Sequence, residues 1–303
     1  MTDNAPKTRR TKTPLTKQLE LFLEDWPDRV RGVPNVVLRS ALFSISKKRD
    51  NYKKLTLIAS NDGLEIRRRG EQFNQDDLDV WQVLVHLARK QPLNTYVRFT
   101  VNSVLTELGL QHGGAQHNQL REAIARLMGG PIEIRWVAEG KILMDTLIKK
   151  SFYDEKTETY VLILSEELLK LYKSGWTQID WEERKKYKSN SLARWLHGFY
   201  STHAQPFDYG VETLKHLCGS APKGRLTDFR KALKVSLDLM VKKGSLVSAE
   251  IHPSRDVVQV VRIPSESQKR HLARRAAQAD AAQISTNEAE FNDPNFKSDL
   301  HGN

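Results

Sequence analysis

The feature that most limits what this chain can fold into is an internal repeat. Shifting the sequence by 109 superposes Leu105 on Leu214, Leu108 on Leu217, Leu120 on Phe229, Arg121 on Arg230, Ala123 on Ala232, Ile124 on Leu233 and Met128 on Leu237. A shift of 114 aligns an earlier block, Leu78 with Leu192, Trp81 with Trp195, Val85 with Phe199 and Gln91-Pro92 with Gln205-Pro206. The difference of five falls between the blocks, where residues 93–97 of the first copy read as an extra strand in a surface connection. Apolar positions recur in any helix, so chance matching of Leu-rich helices is the competing reading. The shared Arg-x-Ala-Ile/Leu and Gln-Pro pairs argue against it.

Periodicity then sets what is repeated. In the second half, residues 191–201, 211–218 and 227–242 carry helical apolar spacing, and Gly244 stops the last helix. Two strand-like runs follow at 246–251 and 257–263, joined by His252-Pro253-Ser254-Arg255-Asp256. Three helices and a two-stranded ribbon in that order make the winged-helix variant of the helix-turn-helix. The first half reads as a longer version. Runs 54–59 and 64–67 flank the hairpin signal Asn61-Asp62-Gly63. Helices are expected at 76–89, 101–108 and 116–128, with Asp76, Asp77 and Asp79 at the positive end of the first. Strand-like runs at 132–137, 141–149 and 159–164 precede a short helix at 165–171. The expected class is α+β, two tandem winged-helix domains with disordered N- and C-terminal tails. The divisions are a basic arm at 1–30, a first domain at 31–180, a second at 181–264 and a basic, then polar tail at 265–303 with a short helix near 267–280.

Charge suggests the partner. Among 303 residues the formal net charge is +11, which favours a polyanion, nucleic acid before an anionic membrane. An unspecialised basic surface is the other reading. The single cysteine, Cys218, excludes an intrachain disulfide and a multi-cysteine zinc site, as expected of a cytoplasmic protein. No apolar run approaches the roughly 20 residues that span a bilayer, and the N-terminus lacks the apolar core of a secretory signal, so no membrane partner is expected.

The third helix of the second copy locates the contact. Leu226, Phe229, Leu233, Leu237 and Met240 form one apolar stripe at 100° per residue. The opposite side carries Thr227, Lys231, Lys234 and Lys242 with Asp238 its only acid, Arg230 lies at the stripe's edge, and Lys223 and Arg225 stand in the preceding turn. Long donors with a small hydroxyl suit phosphates and guanine edges in a major groove; a solvated cationic face is the bland alternative. The equivalent helix of the first copy exposes Asn118, Arg121, Glu122 and Ala125, with Arg126 at its flank. It is less cationic, and is expected to clamp the backbone or meet protein. Its following strands (Ile132, Ile134, Trp136, Ile142, Leu143) either pack a core or extend a sheet between subunits. Arg184, Lys185, Lys186 and Lys188 before the second copy, and Arg255 at the wing tip, are placed to meet phosphates or the minor groove, or else form solvated loops.

Beside the N-terminal arm, Gln18-Leu19-Glu20-Leu21-Phe22 resembles the bacterial sliding-clamp-binding pentapeptide, with Gln18, Leu19, Leu21 and Phe22 as its anchors. The alternative is a turn that packs Leu19, Leu21 and Phe22 on the protein's own core. Longer strings carry a family likeness. Val33-Pro34-Asn35, Leu38-Arg39-Ser40-Ala41-Leu42-Phe43, Asp76-Asp77-Leu78-Asp79-Val80-Trp81 and Ala193-Arg194-Trp195-Leu196-His197-Gly198-Phe199-Tyr200 together resemble the TrfA replication initiators of broad-host-range plasmids, over about residues 26–264. The resemblance implies binding to double-stranded DNA at repeated origin sites (iterons), opening of an AT-rich region with its single strands as a further partner, recruitment of the replicative helicase and sliding clamp, and a monomer–dimer equilibrium that governs copy number. A winged-helix transcriptional repressor is the alternative of the same architecture.

Catalysis finds little support. Gly219 to Gly224 has the glycine spacing of a phosphate-binding loop, but Arg225 and Leu226 stand where Lys and Ser/Thr are required. His112, His117, His197 and His203 are too isolated for a metal site, and the paired-histidine motif of a nicking initiator is absent. Neither an enzyme activity nor a cofactor is expected.

Overall fold

The computed structural model describes residues 26–60, 63–89, 96–221 and 223–291. The chain opens with β1 (Val30–Pro34), a single helical turn α1 (Asn35–Leu38) and β2 (Phe43–Ser44). Strands β3 (Asn51–Ile58) and β4 (Leu64–Glu71) pair antiparallel around the expected hairpin, and β5 (Phe73–Asn74) leads into α2 (Gln75–Ala88). A capping box starts α2: Asn74 accepts from Asp76 and Asp77 backbone nitrogens while Asp77 accepts from Asn74 N at 3.0 Å. Next come β6 (Val97–Thr100), α3 (Val101–Glu107) and α4 (Gly114–Met128). Strands β7 (Ile132–Trp136), β8 (Lys141–Asp145), β9 (Ile148–Asp154) and β10 (Thr159–Leu164) follow. Helix α5 (Glu166–Leu169) runs on into a 3₁₀ turn at Lys170–Ser174, and β11 (Trp176–Asp180) returns to pair with β1. Helix α6 (Trp181–Lys185) bridges to the second unit: α7 (Ser191–Ser201), β12 (Tyr209–Gly210), α8 (Val211–Leu217), α9 (Leu226–Lys242), β13 (Ser248–Ile251) and β14 (Val257–Val261). The last described element is α10 (Glu266–Phe291), longer than the short helix expected near 267–280. Residues 1–25 of the basic arm, with its pentapeptide, lie outside the described residues, as do most of the expected strand at 93–97 and the residues after 291. The last part of the arm, expected to be disordered to residue 30, instead belongs to the first domain, with Trp26 and Val30 buried in its core.

The duplication holds at the level of topology. The first copy has a three-stranded sheet ordered β6-β10-β9 and the second one ordered β12-β14-β13, each following the same helical order. The chain is therefore α+β, with two tandem winged-helix domains. The wing of the first domain is β9–β10. Strands β7 and β8 are an insertion that joins the hairpin in a separate antiparallel sheet, β3-β4-β7-β8. This corrects the run 141–149, expected as one strand. The chain breaks at Thr146, where the Asp145 carboxylate accepts from Thr146 N (2.7 Å) and Ser165 Oγ (2.6 Å), and Leu147 drops into the core.

The repeat register also needs correction. Buried Val101 and Val104 match buried Val211 and Leu214, and Gly109 and Gly219 both take positive φ (61° and 65°), which is a shift of 110. Buried Leu120, Ala123, Ile124 and Leu127 match Leu233, Ser236, Leu237 and Met240, a shift of 113. The turn before the third helix is thus longer by three in the second copy, and Arg121 corresponds to Lys234 rather than to Arg230. The uniform shift of 109 slips that helix by about one turn, which apolar spacing alone cannot distinguish.

Each domain buries its own core, one running from Trp26 to Trp181 and the other from Tyr187 to Val260. The segment after α1 fastens them together. Arg39 Nε donates to Thr202 Oγ1 (2.8 Å), Trp195 Nε1 to Ser40 O (3.2 Å) and Ile45 N to Cys218 O (3.0 Å). At Gly198 a Cβ would sit 2.9 Å from Leu38 Cδ2, so the missing side chain lets α7 lie close to α1. Ion pairs complete the junction. Asp79 accepts from Arg184 Nε (2.5 Å) and Arg194 Nη1 (2.8 Å), and Asp76 pairs with Arg194 Nη2 at 2.7 Å.

Candidate nucleic-acid interface

In the second domain α8, a turn and α9 form the helix-turn-helix. Asn190 caps α7 through Ala193 N (2.9 Å) and donates from Nδ2 to Ser236 Oγ (3.1 Å), which pins the buried side of α9. Phe229, Leu233, Leu237 and Met240 are buried on that side, with Leu226 half-buried at the start. The turn is held from behind. Cys218 is buried, which pushes its thiol up to about 12, and a Cβ on Gly219 would stand 2.7 Å from Ser44 Cβ. Packing on one side leaves the other in solvent. Lys223, Arg225, Thr227, Arg230, Lys231, Lys234 and Lys242 are all exposed, Lys234 at 71 % of its side-chain surface. Arg225 is tied to Asp228 (2.9 Å) and Lys234 weakly to Asp238 (3.4 Å); Lys231 makes no ion pair among the described residues. Exposed pairs of this kind contribute at most about 1 kcal/mol, so a phosphate can displace them.

The wing is fixed beside this helix. Asp256, at φ 51°, accepts from Val211 N (3.0 Å) and pairs with Arg230 Nη2 (2.6 Å), linking the wing turn to α8 and α9 at once. Arg255 is exposed at the tip, 3.6 Å from Asp208. Between helix and wing lies a groove of about 290 Å³ lined by Arg230, Lys231, Lys234, His252 and Asp256, among others. A rigid cationic helix with a cationic tip beside it can hold phosphates on both sides of a groove edge.

The first domain arranges its residues differently. Leu120, Ala123, Ile124 and Leu127 are buried and Asn118, Arg121, Glu122 and Ala125 exposed, as the periodicity implies. Arg126 does not project. Its Nε and Nη2 donate to Asp77 Oδ1 at 3.0 and 2.9 Å, and Arg49 takes the other oxygen of the same carboxylate, which is 0 % exposed. This removes Arg126 from the expected DNA contacts, because withdrawing it would strand a buried charge. The α4 face also lines a cleft of about 590 Å³ whose far wall is α6, with Trp181 and Lys185, and Lys188 just beyond it.

The basic run before the second copy divides. Arg184 is 1 % exposed and is a junction cation of Asp79, which corrects both of its expected readings, a phosphate contact and part of a solvated loop. Lys185 pairs with Glu182 (2.6 Å) and Lys188 donates to Gly109 O (3.0 Å), while Lys186 is exposed. Of the strands that follow α4, Ile132 and Ile134 are core, whereas Ile142 and Met144 of β8 are exposed at a sheet edge.

Sequence reasoning missed the Asp79–Arg184–Arg194 junction. One signal was there: at a shift of 114 Arg194 falls on Val80, a charge where the first copy has a buried apolar residue. It also missed Glu183, which lies 3.5 Å from His197 Nε2. The hydrogen bond from His197, against the cost of burial and with help from Ser245, draws Glu183 down to about 2. His203 packs inside the second domain, 3.0 Å from Tyr209 Oη, and His112 and His117 touch Thr106 and Asn102. Among the described residues no three His, Cys, Asp or Glu side chains are grouped to hold a metal, and no helix is long and apolar enough to cross a membrane.

The family model of the TrfA protein matches residues 4–262. The chain belongs to the TrfA family. The plasmid replication initiator protein TrfA of Escherichia coli is 26 % identical to it over 212 residues, 67 % of this chain. The chain spans 55 % of the length of that TrfA relative. Among solved structures, domains 2–3 of RctB share the fold, with a TM-score of 0.50 and 12 % identity over 77 % of this chain and 98 % of that one. The Pi initiator protein in complex with iteron DNA is more distant, with a TM-score of 0.44 and 13 % identity over 65 % of this chain and 95 % of that one.

Proposed function

We propose that this TrfA-family chain is a plasmid replication initiator that binds iterons at the origin, opens adjacent AT-rich duplex and brings in the host helicase and sliding clamp. The observation that carries the DNA-binding step is the exposed cationic side of α9. It stands on a packed three-helix unit beside a wing whose tip is fixed to it by Asp256. Lys231, Lys234 and Thr227 enter the major groove, Arg225 and Lys223 meet the backbone at the helix start, and Arg255 reaches the neighbouring minor groove. Arg230 holds the wing and contributes its remaining donors. Lys242, Lys186 and Arg121 make outlying backbone contacts. Family membership supports initiation over simple repression, and the pentapeptide Gln18 to Phe22 supports the clamp. The protein acts in the bacterial cytoplasm as a monomer in equilibrium with a dimer that restrains copy number. It works by binding and deformation, with no catalytic step and no cofactor.

A plasmid carrying the origin but lacking this gene tests the reading. It should be maintained only when the protein is supplied in trans, and Lys231→Ala/Lys234→Ala should abolish maintenance. Plasmid persistence without the protein would leave a repressor as the function. Supercoiled origin DNA with protein and magnesium should stay uncut; nicking would establish catalysis.

A further inference from the structure

Helix α10 begins beyond residue 262, where the family match ends, so nothing carried over from the TrfA family speaks of it. Its first turn is fixed. Ser265 and Gln268 form a capping box, with Gln268 N donating to Ser265 Oγ (3.3 Å) and Ser265 N to Gln268 Oε1 (3.0 Å). Gln268 also accepts from Arg262 Nη1 (2.8 Å) and donates from Nε2 to Ser201 O (2.9 Å), at the end of α7. Arg262 in turn donates to His203 O (2.8 Å). The helix therefore leaves the second domain from a seated base.

That base decides which side is free. Gln268 and Leu272, four apart, are half-buried and form the row turned to the domain. Arg270 and Arg274 form a row almost opposite at 100° per residue, whereas His271 and Arg275 lie three residues on from Gln268 and Leu272 and border the domain-facing row; all four are exposed. Lys269 is held by Glu266 at 2.7 Å, but Arg270, Arg274 and Arg275 have no ion pair among the described residues. Leu272 is the only large apolar side chain from 266 to 278, so the helix lacks the apolar face that a membrane surface or a protein groove requires. Repeated guanidinium groups on a helix that rises about 6 Å every four residues suit a ligand with regularly spaced negative charge.

Position gives the site on that ligand. The wing tip and the Asp256–Arg230 pair lie at one end of the β13–β14 ribbon, and α10 leaves from the other, after Val261. Five residues of β14 separate the two ends by about 16 Å. We propose that the exposed arginines of α10, Arg270 and Arg274 on its outer row and Arg275 one turn beyond the seated base, form a second phosphate-contact surface that grips duplex DNA flanking the segment entered by α9. This rests on the reading of α9 as the groove helix.

The test uses the full chain and Arg270→Gln/Arg274→Gln/Arg275→Gln, with thermal melting to show that both fold. Each is titrated in salt against a duplex of one origin repeat and against the same repeat extended by about ten base pairs on each side, one further helical turn. The variant should match wild type on the short duplex. On the long one it should bind roughly tenfold more weakly, with a salt slope smaller by about 2 to 3, near 0.9 per phosphate lost. Equal affinity and slope on the long duplex would overturn the proposal, as would an equal loss on both duplexes. Dependence on these arginines for anionic vesicles or polyglutamate with none for DNA would overturn it too. Lys231→Ala/Lys234→Ala separates the two readings: unchanged binding of the short duplex would sink α9 as the groove helix, whatever α10 does.

Discussion

The third helices of the two domains share a buried stripe and differ in what holds their other side. Helix α4 is bound to α2 through Arg126 and the fully buried Asp77, and its exposed face lines a cleft walled by α6. Helix α9 has no such tie; its outer cations answer only to weak surface pairs and to the wing. Duplication supplied one scaffold twice. Ion pairing anchors the third helix of one copy and leaves most cations of the other in solvent. Net charge alone does not reveal this, because a paired and an unpaired arginine count the same.

The comparison breaks most visibly at Asp77. Asp77→Ala should destabilise the protein by about 3–5 kcal/mol in urea unfolding, since Arg49 and Arg126 lose a buried partner. A loss under about 1 kcal/mol would mean α4 is not anchored this way. The junction side offers a pH-dependent counterpart. Glu183, held at about 2 against an ordinary 4.5, contributes stability that is complete above about pH 4.5 and disappears as pH falls toward 2. Glu183→Gln should therefore cost about 2–3 kcal/mol at pH 7, shrinking across that window until it vanishes near pH 2. A cost that is constant from pH 7 to 2 would assign the loss to packing instead.

Two glycines sharpen the contrast in the turns. Gly109 and Gly219 both have positive φ, but a Cβ on Gly109 meets only Lys185 Cδ at 3.6 Å, whereas one on Gly219 clashes with Ser44 and Ala41. Gly109→Ala should cost about 1 kcal/mol of backbone strain, and Gly219→Ala about 2–3 kcal/mol as it lifts the helix-turn-helix from the first domain. Equal melting shifts for the two variants would show that the second turn is not seated there. The smallest effect is electrostatic. Lys234→Ala should lower the slope of log affinity against log salt by about 0.9, and its repeat counterpart Arg121→Ala by less than half of that.

Much of this was legible in the sequence. The buried sets of α4 and α9 follow apolar spacing, and the Asn61-Asp62-Gly63 signal marks a real hairpin between β3 and β4. What was not legible depends on partners far away in the chain. The break between β8 and β9 needs Ser165 to hold Asp145, and the pairing of β1 with β11 joins Val30 to Asp180. Among the cations, Arg184 and Lys186 look alike in sequence, yet one is buried on Asp79 and the other is exposed. The exposed cationic side of α9 was readable because it depends on local helix geometry; the anchors were not, because a pair needs both of its members.

A photo-crosslinking side chain placed at position 231, and separately at position 121, tests the whole account in one measurement on a duplex carrying an origin repeat. The residue-231 probe should capture bases within the repeat efficiently, and the residue-121 probe should give little or only backbone-proximal product. Capture of bases from position 121 with none from position 231 would contradict the assignment of α9 as the helix that reads DNA.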